Sequence, residues 1–280
     1  MNRRRFLQGS LVCAASQLVP GPLRALAFKE SRWYEQAQPM MGSFVSVAVQ
    51  SVDEREARAQ ITGCFLKMQQ VVDEISEWEE RSSTSLLNRE CRMDRARCPE
   101  TLRTLAAGIL EVSKRSSGAF HPLTGGLSAL WRSARDSNSL PNRRELARLL
   151  DEAKRSTLSV TTTSIGIQGA AKMETGGIGK GFVADCGAEF LREIGVRDAR
   201  IAASGDIRFL GNGPWEVYIE HPRADDFLGR VKLEGSCAIS TSGDYRNFFS
   251  IGNERYHHLI DLKTGYPARY CQSATVIAPS

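Results

Sequence analysis

Met173-Glu174-Thr175-Gly176-Gly177-Ile178-Gly179-Lys180-Gly181 marks the point at which the pattern of this chain changes. Val183, Cys186, Phe190 and Ile194 follow it at helical spacing and Gly195 supplies a C-terminal stop, so the stretch reads as a turn entering an amphipathic helix. Glycines let main-chain N–H groups approach an anion, a helix N-terminus adds partial positive charge, and Lys180 adds a full one. The turn therefore suits a phosphate-bearing ligand. Lys180 is followed by Gly181 rather than Ser or Thr, which excludes a Walker loop, and the glycine spacing is not that of a dinucleotide G-x-G-x-x-G. The competing reading is a tight turn that binds nothing.

Helical patterns lie mostly before this stretch and strand patterns after it. Val45, Val47 and Val49 predict an early strand, and Ala57, Ile61, Cys64, Phe65, Met68, Val72 and Ile75 a long amphipathic helix. Further helices are predicted from about Glu100 to Ser116 and from Asn142 through Leu150. Beyond Leu158 short strands dominate: 165–167, 201–203, 207–210, 215–219, 231–233 and 274–277, with Gly211-Asn212-Gly213-Pro214 as a turn cluster. Helices early and hairpins late predict an α+β domain with antiparallel-rich sheets and packed helices, not a doubly wound sheet.

The chain opens Asn2-Arg3-Arg4-Arg5-Phe6-Leu7-Gln8, followed by a moderately apolar stretch and a small-residue site at Ala25-Leu26-Ala27. Residues 1–27 read as a twin-arginine signal peptide, with the product exported to the periplasm and the functional domain spanning 28–280. The segment from Phe6 to Val19 is too short and too polar to serve as a membrane span. Removing the leader takes away four arginines and no acid, so the formal charge falls from +5 to +1 and nothing argues for a nucleic-acid partner. The 41% hydrophobic content is enough for a substantial core. The leader also removes Cys13; the six remaining cysteines permit disulfides without specifying a pairing, and no C-x-x-C motif is present.

Four other segments carry polar or aromatic groups in turns. Ser76-x-Trp78 with Ser82, Ser85 and Asn88 reads as a helix end and a hydroxyl-rich turn. Ser117-Gly118-Ala119-Phe120-His121-Pro122 leads to Gly125-Gly126 and Trp131, a loop able to lie beside a planar ring. Ala203-Ser204-Gly205-Asp206 ends a strand. Thr241-Ser242-Gly243-Asp244-Tyr245 precedes Tyr256-His257-His258-Leu259-Ile260-Asp261, read as a strand with His258 and Ile260 on one face and His257, Leu259 and Asp261 on the other. That alternation separates His258 from Asp261 unless a bulge intervenes, and leaves either an acid/base histidine or one hydrogen-bonded within a sheet.

In order and spacing these segments together resemble the ApbE family, the FAD:protein FMN transferases, from Met41 to Ala278. The family's Met-Gly-Thr is matched by Met41-Gly42-Ser43, its Ser…Ser…Ser…Asn series by Ser76, Ser82, Ser85 and Asn88, and its G-x-F-D-P loop by Gly118 to Pro122. Its Asp-x-Gly-Gly-x-x-Lys-Gly turn is matched by Glu174 to Gly181, and its His-x-Ile-Asp-x-x-Thr-Gly by His258 to Gly265. The twin-arginine start is similar to that of the NosX-type branch, which serves respiratory flavoproteins.

The resemblance implies FAD contacts at Met41, Trp78, Ala119, Phe120, His121, Glu174, Lys180 and His258, and a Mg²⁺ ligand at Gly177 through its carbonyl. It implies a reaction in which a Thr or Ser hydroxyl of an acceptor flavoprotein, within a Ser/Thr-Gly-Ala-Ser/Thr-like site, takes FMN from FAD and AMP leaves. Lys180 and the 176–179 backbone are expected as donors and His258 as the base. An FAD carrier and an FAD pyrophosphatase are the alternatives. His121 and Glu174 each stand where the family has Asp, and the family places further metal-binding side chains after the strand at 275–278, so the domain is expected to be incomplete at its C-terminus.

Overall fold

Arg32–Met40 (β1) and Ser43–Ser51 (β2) form the first hairpin of the computed structural model, which describes residues 30–94 and 98–280. Met40 pairs with Ser43, so the connection is Met41 and Gly42 alone, at φ of 53° and 68°. Two successive left-handed residues make the turn whose twist matches a hairpin; Gly42 adopts it freely, whereas Met41 does so against its side chain. The leader read at 1–27 lies outside the described residues.

Glu54–Ile75 (α1) begins where the Asp53 carboxylate accepts the Glu56 N–H, and buries Ala57, Ile61, Cys64, Phe65, Met68, Val71 and Ile75 along one stripe. Next come Ser83–Glu90 (α2), Arg92–Asp94 (β3), Glu100–Arg115 (α3), Gly125–Asp136 (α4), Arg143–Arg155 (α5), Thr157–Val160 (β4) and Ser164–Gln168 (β5). The helix foreseen after Lys180 is Gly179–Glu193 (α6). Ala199–Ala203 (β6), Asp206–Leu210 (β7), Trp215–Glu220 (β8), Phe227–Leu233 (β9), Cys237–Gly243 (β10), Phe248–Ile251 (β11), Glu254–His257 (β12) and Ser273–Ala278 (β13) complete the order.

The principal sheet runs β1-β2-β6-β7-β10-β13, antiparallel at every step. Helices α1 and α6 share a core with it, in which Ile61, Met68, Val183 and Leu191 join Val47 and Ile201. A second cluster joins α4 and α5 to β12 through Leu127, Trp131, Leu146, Ala153 and Tyr256, and a third holds Phe209, Trp215, Leu233 and Ile239. The α+β expectation stands.

Three local readings change. The hydroxyl-rich turn after α1 contains a helix, because Ser82 is the N-cap of α2 and accepts the Ser85 N–H. The Gly125-Gly126 loop is the first turn of α4, whose buried Leu127, Trp131 and Ala134 fall at helical spacing. The strand read through His258 to Asp261 ends at His257; the Asp261 carbonyl accepts from Thr264 and Gly265, and its carboxylate from Lys263 N–H, so this segment is a turn. Cys64, Cys91, Cys98, Cys186, Cys237 and Cys271 are all unbonded, and burial pushes the Cys64 thiol up to about 12.

Topology gathers the polar turns at one end of the principal sheet. β2 leaves the Met41-Gly42 turn and α1 runs back, so Ser76, Glu77 and Trp78 arrive beside that turn. Helix α6 and β6 make the same reversal, placing the start of α6 near the Ser204-Gly205 turn. Ser43 Oγ donates to Ser204 Oγ at 3.3 Å, and Thr241 N–H to the Gly205 carbonyl at 2.9 Å.

Candidate functional site

The residues preceding the glycines are fixed one by one. Met173, 1% exposed, is bound at both backbone groups by Asn88: its N–H donates to Oδ1 at 2.7 Å and its carbonyl accepts from Nδ2 at 2.9 Å. Glu174 N–H donates to the Pro122 carbonyl at 2.9 Å. Thr175 N–H and hydroxyl both point to Glu77 Oε2 at 2.7 Å, with the Ile75 carbonyl a second acceptor for the hydroxyl at 3.1 Å. The Thr175 carbonyl then accepts from Ile178 and Gly179 N–H, which starts α6. Among the described residues the N–H groups of Gly176, Gly177, Lys180 and Gly181 have no partner. Of the 176–179 backbone donors expected, Ile178 and Gly179 are thus spent within the turn, and Gly176 and Gly177 remain for a ligand.

Asn88→Ala leaves the buried N–H and carbonyl of Met173 without partners. The expected loss is about 2 kcal/mol of unfolding free energy, read as a lowered urea midpoint at unchanged m-value. An unchanged midpoint would remove Asn88 from the support of the turn.

One wall of the site is the loop ahead of α4. Ser117 and Gly118 are left-handed, at φ of 51° and 80°, and Phe120 N–H is held by Ser116 Oγ at 3.0 Å. Phe120 covers Gly177 so closely that a Cβ there would lie 2.9 Å from the ring, so a larger residue at that position would push the ring aside. His121 Nδ1 accepts Leu123 N–H at 3.2 Å, and burial lowers the pKa of the ring, so His121 is neutral with its proton on Nε2. Thr124 and Ser128 both donate to Glu174 Oε2. Burial raises the Glu77 carboxyl, and the Glu174 charge adds to the shift; the Thr175 hydrogen bonds and Arg132 oppose it.

The opposite side carries two histidines with different fates. His257, 6% exposed, donates Nε2–H to the Ala268 carbonyl at 2.6 Å and accepts Leu259 N–H at Nδ1, so neither nitrogen is available. His258 is exposed, and its Nδ1–H makes one long bond, 3.4 Å, to the Asn247 carbonyl. That bond leaves Nε2 unprotonated and free. The surrounding protein lowers the His258 pKa, opposed by the Asn247 carbonyl and reinforced by His257 and the Lys180 ammonium. Lys180 and His258 therefore feel one another across the site. Asp244, near enough to His257 to feel its charge, forms a bidentate pair with Arg223, at 2.7 and 2.5 Å, which holds its carboxyl below the usual range.

Met41 is placed at the sheet end by its hairpin, and Ala119 lies exposed on the loop before Phe120. Gly177 offers a carbonyl, and Glu77 and Glu174 flank its neighbour Gly176, but each already accepts from threonine or serine. No group of three His, Cys, Asp or Glu side chains is placed to hold a metal among the described residues. Magnesium takes a shell of oxygens including carboxylates, so these residues alone do not form its site. Sequence reading passed over Glu77, Thr124, Ser128 and Arg132; the signal for the last three was their spacing of four along one helix face.

The sequence model described as the ApbE family matches residues 41–280. An FAD:protein FMN transferase of Rhodobacter capsulatus is 27% identical over 99% of this chain, which spans only 54% of that relative's length. One from Klebsiella pneumoniae (strain 342) is 28% identical over 89% of the chain and 78% of its own length. Among solved structures, the ApbE protein of Thermotoga maritima superposes with a TM-score of 0.79 at 28% identity, covering 89% of this chain and 82% of that one. The apo flavinyl transferase ApbE of Pseudomonas stutzeri, at 23% identity and a TM-score of 0.75, covers 89% of this chain and 81% of that one and shares the fold.

Proposed function

Because this chain belongs to the ApbE family, we propose that it is an FAD:protein FMN transferase, moving FMN from FAD to a Thr or Ser hydroxyl of an acceptor flavoprotein and releasing AMP. The observation that carries the reading is a single juxtaposition: four unpartnered N–H groups and the Lys180 ammonium on one side, and a histidine with a free Nε2 on the other. A diphosphate against the first leaves the second facing an incoming hydroxyl.

In this reading the acceptor hydroxyl oxygen bonds to the FMN-side phosphorus, and the bond from that phosphorus to the bridging oxygen breaks. AMP departs with the bridging oxygen and its electron pair, and His258 Nε2 takes the hydroxyl proton. Charge builds on the departing oxygen, where Lys180 and the N–H groups of Gly176 and Gly177 act. Dependence on Mg²⁺ belongs to the proposal, as do export to the periplasm by the twin-arginine route, a Ser/Thr-Gly-Ala-Ser/Thr-like acceptor site and a respiratory membrane flavoprotein as acceptor.

The test is to incubate the protein with FAD, Mg²⁺ and an acceptor bearing such a site, then weigh the acceptor. A mass gain equal to FMN less one water, with stoichiometric AMP, supports transfer. AMP and free FMN with an unchanged acceptor would replace it with hydrolysis, and bound, intact FAD with a carrier.

A further inference from the structure

Helix α4 turns a polar stripe toward the glycine turn. Thr124 and Ser128 hold Glu174, and Arg132, one turn further on, lays its guanidinium 4.2 Å from the centroid of the Trp78 ring. Trp78 is 65% exposed, so the cation covers one face of the indole and the other is open. Arg132 makes no hydrogen bond or ion pair with any described residue, and its charge acts on Glu77, the neighbour of Trp78 that anchors Thr175. The helix presenting it is fixed: the adjacent Trp131 is buried, donates Nε1–H to the Gly265 carbonyl at 2.8 Å and stacks on Tyr256. An exposed indole on a loop otherwise samples several rotamers, and a ligand that stacks on it must first select one.

We propose that Arg132 is a positioning residue for the flavin dinucleotide: it clamps Trp78 as a flat plate on whose open face one planar ring of FAD stacks. This rests on the transferase reading for the identity of the ligand, and goes beyond it in assigning Arg132. Guanidinium, indole and ring then lie in one stack, with the guanidinium attracted to the indole face. The plate is ordered before the ligand arrives, so Arg132 acts on FAD affinity through Trp78 and on the phosphorus chemistry only indirectly.

The experiment is a double-mutant cycle on the full chain. Trp78→Ala, Arg132→Met, Arg132→Lys and the Trp78→Ala/Arg132→Met pair are titrated with FAD by calorimetry, and KM for FAD and kcat are measured for each. Arg132→Met is expected to weaken FAD binding by about tenfold, acting on KM far more than on kcat, with Arg132→Lys intermediate. In the Trp78→Ala background the same change is expected to have almost no effect, because the plate it orders is gone. Separate titrations with FMN and ADP identify the ring: one of the two should lose affinity in Arg132→Met. Equal losses in both backgrounds, or no loss for FAD, FMN and ADP alike, would overturn the assignment. If the unaltered protein binds FAD and only the cycle fails, Arg132 alone is dismissed; absence of FAD binding by the unaltered protein would dismiss the transferase reading with it.

Discussion

Lys180→Ala lowers the rate of FMN transfer at saturating FAD by about 10²- to 10³-fold, the range seen when one preorganised donor is removed from a developing negative charge. Lys180 is the second residue of α6, where the helix N-terminus already favours an anion. Its ammonium has no partner among the described residues, and its charge reaches His258, so it is held in the site without being neutralised there. The charge on the bridging oxygen grows only as the P–O bond breaks, so the loss falls on kcat more than on KM. Alanine is the best helix former, so the substitution leaves α6 intact and the thermal midpoint nearly unchanged. Single-turnover AMP release reads the effect without interference from product dissociation. A rate within about threefold of the unaltered protein would place the transferring phosphoryl group away from the glycine turn.

His258→Ala is the second large effect, a loss of about 10²- to 10⁴-fold at neutral pH if the ring removes the hydroxyl proton. The pH dependence follows from the direction of its shift. Burial, His257 and Lys180 all disfavour the protonated ring and lower its pKa from 6.5, so at pH 7 His258 is neutral and competent as a base. The rate is then flat above 6.5 and falls only as pH drops through the lowered pKa, and this acid limb disappears in His258→Ala. An acid limb centred above 6.5, or one retained in the variant, would assign the base elsewhere. His257 provides the contrast: its two nitrogens are bound to the Ala268 carbonyl and the Leu259 N–H, so substitution there removes folding contacts and leaves the base in place.

The sequence carried much of this architecture where periodicity was strong and local. Val45, Val47 and Val49 belong to β2, the stripe from Ala57 to Ile75 is α1, and the turn before Lys180 does open a helix. It failed where a short polar segment was ordered by its caps. Helix α2 is capped by Ser82 and contains only two buried residues, Thr84 and Leu87, too few to register as a pattern. Helix α4 begins with two glycines, a composition that reads as a loop until Trp131 and its bond to Gly265 are in place. The family resemblance named His258, but strand alternation alone could not choose between it and His257, because the bonds that distinguish them go to the carbonyls of Ala268 and Asn247, eleven residues away from each ring. Glu77 and Arg132 escaped notice for a different reason: a charged residue near a helix end is ordinarily a solvated one, and only the approach of Thr175 and Trp78 gives these two a role.

The central claim is that the diphosphate of FAD rests on the unpartnered N–H groups of Gly176 and Gly177 beside Lys180. Calorimetric titration of the intact protein with FAD and with riboflavin, in magnesium-containing buffer and repeated for Lys180→Ala, addresses it directly. Saturable FAD binding, far tighter than that of riboflavin and weakened in Lys180→Ala while riboflavin binding is unaffected, is the predicted result. No FAD binding, or equal affinity for the two flavins with no effect of Lys180→Ala, would contradict it.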